Sequence, residues 1–155
     1  MQIRTIHKKY DIHHIIEEGY AHLIDLPLDN KRTIVTVHDL IPLLSWKGII
    51  QNLNYPHRPR LAEYSFNSLK RAAHIITISQ NTKKDLIKFC GVKKKNISVI
   101  YNGCGKLFKP LPKKHKEILR KSKFKFPTDS FLILIMGHQS YKNHETALKV
   151  LSQLR

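Results

Sequence analysis

Five short apolar runs, rich in β-branched residues, limit what this chain can fold into more than any other feature. They are Asp11–Ile16, Thr33–Val37, His74–Ile78, Ile97–Ile100 and Phe131–Met136. Each is nearly continuous rather than alternating, which suits strands buried on both faces of a parallel sheet. Apolar residues at helical spacing lie between them. Leu61, Ala62, Tyr64, Leu69 and Ala73 form one such set, and Leu86, Ile87 and Cys90 a second. Ala147, Leu148, Leu151 and Leu154 form the last. Strands alternating with helices predict an α/β fold with a parallel sheet and right-handed crossovers.

Composition narrows the class. A chain of 155 residues, 41% hydrophobic and 25% charged, is a folding chain rather than a disordered one. Its longest apolar run, Phe131–Met136, falls far short of the roughly 20 residues that span a bilayer. Residues 1–10 lack the apolar core and small-residue cleavage site of a secretory signal. Two cysteines, Cys90 and Cys104, make no disulfide framework, so a reducing, cytoplasmic setting is expected. The net charge is +17. Much of it forms a solvated lysine face, but such a field also attracts nucleic acid, acidic lipid headgroups or phosphorylated substrates.

Ligands of open α/β sheets collect beyond the carboxyl ends of the strands. Three ends carry polar residues: His38-Asp39 after the second run, Ser79, Asn81 and Thr82 after the third, and Gly137 to Asn143 after the fifth. Ser79, Asn81 and Thr82 are equally good helix caps. Residues 106–125 hold nine Lys or Arg against one acid, and Pro110 and Pro112 exclude a continuous helix there, which marks a boundary between domains. The pair His13-His14 has no Cys or carboxylate cluster at ligand spacing, so no metal site is expected. Trp46 fits a loop lining a ligand site, a membrane contact or ordinary core packing.

The ordered series is more specific than its parts. Val37-His38-Asp39-Leu40-Ile41-Pro42 is followed by Ile76 to Leu86, by Gly91-Val92, and by Ile97 to Gly103. Phe108-Lys109-Pro110 and the segment from Met136-Gly137 to Tyr141-Lys142-Asn143 complete it. This series resembles the middle portion of family-4 (group 1) glycosyltransferases of the GT-B fold, over roughly residues 11–155. The resemblance implies two Rossmann-like domains facing a cleft and transfer of a sugar from a nucleotide-diphosphate donor, with retention and without a bound metal or other cofactor. It implies that His38 lies near the transferred sugar or the acceptor, with Asp39 holding the turn or orienting the ring. Ser79, Asn102 and Gly103 border the cleft on this reading, Asn102-Gly103 marking the approach to the hinge. Gly137, His138, Lys142 and Asn143 would bind the donor, Lys142 meeting its diphosphate. A cation there stabilises the charge that grows on the leaving group more than it stabilises the ground state. Free amides at the start of the following helix act in the same direction.

The chain also departs from the family pattern. His138 stands where an Arg is common, the Gly137 loop is about one residue short, and no Glu-x7-Glu pair occurs: eight positions after Glu145 stands Gln153. The family's glycine-rich loop near the N-terminus is absent as well. The expected organisation is a GT-B protein truncated at both ends. Residues 1–108 form the latter part of the acceptor-side domain, 109–127 a basic interdomain linker and 128–155 the beginning of the donor-binding domain. Such a fragment is expected to be inactive alone and to need a complementary chain. Its expected partners are a nucleotide-diphosphate sugar and a carbohydrate or lipid-linked acceptor, with peripheral contact at the inner face of the membrane. The competing expectation is a basic α/β module that binds nucleic acid or anionic membrane without catalysis.

Overall fold

Four of the five runs pair into one parallel sheet in a computed structural model of the chain, which describes residues 10–24, 28–51, 59–127, 130–137 and 142–154. The strands are β1 (His13–Ile15), β2 (Thr33–Val37), β3 (His74–Thr77) and β4 (Ile97–Val99), in the spatial order β1-β2-β3-β4. His13 pairs with Thr33, Ile34 with His74, and Ile75 with Ile97. The connections carry a 3-10 helix over Glu18–Ile24, then α1 (Ile41–Trp46) and α2 (Pro59–Ser68), then α3 (Gln80–Cys90). This is the α/β, Rossmann-like arrangement, and it lies within one compact unit, residues 1–102; residues 103–155 form a second.

The sheet is not buried on both faces as the continuous runs predict. Thr33, Val35, Val37, Ile75 and Thr77 are buried, whereas the alternate residues Ile34, Thr36, His74 and Ile76 are only half-buried. The cause is topological: strands added in chain order with crossovers of one hand place every connecting helix on the same side. The core therefore fills that side, with Ile24, Leu40, Leu69 and Leu86 packed beneath the strands. Each such side chain stabilises the fold by about 1.5–3 kcal/mol when fully buried. The open side carries polar pairs across neighbouring strands. His14 Nε2 lies 2.8 Å from Thr36 Oγ1, and His74 Nε2 lies 2.9 Å from Ser98 Oγ.

The helix ends follow local chemistry. Ser79 caps α3, its Oγ accepting the Thr82 N–H at 3.0 Å. Gly91 closes the same helix in the left-handed region at φ 66°, a conformation that carries no Cβ penalty in glycine. Among the described residues of the second unit none is buried. It contains α4 (Lys113–Ile118), running on as a π-helical turn over Leu119–Lys123, and α5 (His144–Gln153). Helix α4 begins directly after Pro112, inside the basic stretch.

Phe131–Met136 forms no strand, and Phe131 and Leu134 are 90% and 84% exposed. This corrects the expectation of a fifth strand. A strand is held by its ladder, and no other strand is present among the described residues of this unit. No described helix is long and apolar enough to cross a membrane.

Candidate functional site

Strand β2 delivers its polar end to a pocket. The chain leaves Val37 and turns through His38 and Asp39 into α1, beside the turn that follows β1. The resulting cavity, of about 410 Å³, is lined by Ile16, Glu17, Glu18, His38, Asp39 and Pro42.

His38 is tied on three sides. Its backbone N–H donates to Glu18 Oε2 at 3.0 Å, and its ring Nε2 lies 3.2 Å from the Ile16 carbonyl. Its own carbonyl accepts from Thr82 Oγ1 at 3.2 Å. Asp39 holds the turn, its Oδ1 accepting the Ile41 N–H at 2.8 Å. That bond spans two residues, the geometry by which an Asp side chain stabilises a turn.

Glu18 is the residue that sequence reasoning missed. It opens the 3-10 helix and is only 8% exposed. Burial pushes its carboxyl above the usual carboxylate range; the His38 N–H bond opposes that, and the nearby Asp39 charge adds to it. The available signal was two adjacent glutamates at the end of β1, in a chain with only 11 acidic residues.

The other candidates are placed as follows. Ser79 serves as the α3 cap, and its Oγ lies 2.9 Å from Thr82 Oγ1, the hydroxyl that reaches His38. Ser79 thus reaches the His38 turn through Thr82, while His38 and Asp39 share the pocket lining. Asn102 and Gly103 are exposed and straddle the division between the two units. In the second unit Gly137 is exposed with φ 85°, and His138 lies outside the described residues. Lys142 is exposed and directly precedes Asn143, which begins α5 from the left-handed region at φ 56° with no side-chain cap bond. Trp46 ends α1, 47% exposed, with Lys47 Nζ 5.9 Å from the ring centroid. Cys90 is buried and Cys104 exposed, both as free thiols. Among the described residues no group of three His, Cys, Asp or Glu side chains is arranged to hold a metal ion.

The pocket chemistry differs from that of the whole chain. Glu17, Glu18 and Asp39 line the same pocket as His38, so this spot is acidic in a molecule of net charge +17. Carboxylates accept hydrogen bonds and repel phosphate, whereas sugar hydroxyls donate them.

Comparison with known proteins decides the family. The Glycosyltransferase Family 4 profile matches residues 2–104, more than half of the chain. The chain belongs to this family. The family-4 match ends close to the boundary between the two units. Serotype-specific mannosyltransferase WbdA of Escherichia coli is 26% identical to the chain over 141 residues, covering 88% of the chain and 17% of that protein. O-antigen chain mannosyltransferase RfbU of Salmonella typhimurium is 34% identical over 81 residues, covering 52% of the chain and 21% of that protein. The chain thus spans about a fifth of the length of the curated relatives it matches. No solved structure matches it significantly.

Proposed function

We propose that this family-4 chain serves transfer of a sugar from a nucleotide-diphosphate donor to a carbohydrate or lipid-linked acceptor in cell-surface polysaccharide synthesis. Both relatives are mannosyltransferases by name, which makes mannose the sugar to test first. The observation that carries the reading is the acidic pocket at the end of β2, where His38 is fixed by three hydrogen bonds. Such a pocket suits sugar hydroxyls and repels a diphosphate, so residues 1–108 are assigned to the acceptor side. His38 and Asp39 take hydrogen bonds from the sugar. The anomeric carbon loses its bond to the diphosphate oxygen, which leaves with the electron pair, and gains one to the acceptor oxygen with retained configuration, while the acceptor hydroxyl proton passes to the departing diphosphate.

Residues 128–155 are assigned to the donor. Gly137, His138, Lys142 and Asn143 meet the diphosphate, with residues 109–127 as the basic linker before them. Lys142 meets the charge that develops on the leaving group, and no metal is required. The chain by itself binds these ligands without turning them over. The linker carries a cavity of about 330 Å³ lined by Lys113, Lys116, Glu117, Arg120 and Lys121. With Leu107 and Phe108 exposed nearby in sequence, this supports peripheral attraction to anionic headgroups.

Calorimetric titration with nucleoside diphosphates tests the donor assignment. Lys142→Ala is expected to abolish binding while Lys114→Ala barely changes it. Equal losses from the two substitutions would instead favour the basic module that binds nucleic acid or membrane through summed charge.

A further inference from the structure

The β1–β2 ladder ends where the pocket begins. Its last pair is Ile15 with Val35, so the His38 backbone lies beyond the reach of regular pairing. Two groups stand in for the missing rung. Glu18 Oε2 takes the His38 N–H, and the Ile16 carbonyl lies 3.2 Å from ring Nε2. A carbonyl oxygen only accepts, so Nε2 carries the hydrogen in this contact and the lone pair of a neutral ring sits on Nδ1. Among the described residues Nδ1 has no partner.

We infer that Glu18 is a positioning residue: by holding the His38 backbone against the β1 turn it locks the ring with Nε2–H on Ile16 and leaves Nδ1 as the acceptor offered to a sugar hydroxyl. The inference rests on the sugar-transfer reading for the identity of that hydroxyl. It does not rest on it for the lock itself. Glu18 sits at the start of the helix that follows β1, twenty positions before His38, and is nearly inaccessible. Its Oε2 is committed to the His38 N–H, so Glu18 acts on the ring through the histidine backbone. Glu17 is its exposed neighbour in the same pocket lining and makes no such bond.

The test reads the ring itself by long-range proton–nitrogen correlation on the labelled, full-length chain, at a pH where the rings are neutral. Unmodified His38 is expected to show widely separated ring nitrogens of one fixed tautomer, unlike the exposed His115. Glu18→Met keeps the length and burial but removes the acceptor. It is expected to move the His38 pattern to that of His115. Glu18→Gln, which still accepts through its amide oxygen, is expected to restore the fixed pattern. A fixed pattern in Glu18→Met, or its loss in Glu18→Gln, overturns the inference.

A second measurement needs no variant. The His38 amide should exchange at least about tenfold more slowly than amides open to solvent, and an unprotected amide also overturns the inference. A released ring with unchanged saccharide binding would leave the lock standing and remove the sugar-transfer reading of the pocket. Saccharide binding at a ring that was never locked would do the reverse.

Discussion

Replacing Glu18 by Gln should make the chain's stability less dependent on pH, with a sign that the structure dictates. Burial raises the folded-state pKa of Glu18 above its ordinary value of 4.5, the His38 N–H bond opposing and the Asp39 charge reinforcing the shift. A carboxyl raised in this way contributes stability that is fully present below its unfolded pKa. That contribution is lost as pH rises through the folded pKa. The glutamine side chain keeps the shape and an acceptor for His38 but cannot ionise. The stability of Glu18→Gln minus that of the unmodified chain should therefore be constant at low pH, climb from about pH 4.5, and level off above the folded pKa.

Each pH unit of upward displacement is worth about 1.4 kcal/mol, so the height of the climb measures the shift directly. Any fixed effect of the amide moves the whole curve without changing its slope. Urea unfolding followed by Trp46, the one tryptophan and located on α1 of the first unit, supplies the assay. A charged His38 lowers the Glu18 pKa, so the pair is repeated with His38→Gln in both chains. A difference that is flat or falls with pH would show that the His38 bond outweighs desolvation, and would refute the reasoning.

Three further outcomes follow from the fold. Gly91→Ala places a Cβ at φ 66° and should destabilise the first unit by about 1–2 kcal/mol in the same urea assay, although open space surrounds the position. Limited trypsin digestion should cut within residues 106–125 and leave the sheet unit intact, because none of the described residues of the second unit is buried. Binding to vesicles with anionic headgroups should weaken steeply between about 0.05 and 0.2 M salt, and Lys113→Glu with Lys116→Glu should abolish it; salt-insensitive binding would assign it to the exposed Leu107 and Phe108 instead.

What could be read from the residues divides along physical lines. Thr33–Val37 and His74–Ile78 announce strands because local β-branched composition is enough, and α3 announces both its ends through Ser79 and Gly91. Strand order is a long-range property, so the half-open face with its His14–Thr36 and His74–Ser98 pairs could not be read from the apolar runs. Phe131–Met136 shows the converse: strong strand composition forms no strand where the described residues of its unit offer no partner for the ladder.

At the pocket, His38-Asp39 was legible because a polar pair follows a strand. Glu18 was not, because its importance lies in one hydrogen bond to a residue twenty positions away. Ser79 could have been cap or cleft residue, and its hydroxyl geometry shows the cap.

The proposed function requires that the end of β2 recognise sugar rather than phosphate. Nuclear magnetic resonance titration of the full-length chain with a neutral mannose oligosaccharide, and separately with a nucleoside diphosphate, measures this. The oligosaccharide should shift the signals of Glu18, His38 and Asp39, while the diphosphate leaves them in place and shifts Lys142 and Asn143. Diphosphate-induced shifts at His38, with none from the saccharide, would contradict it.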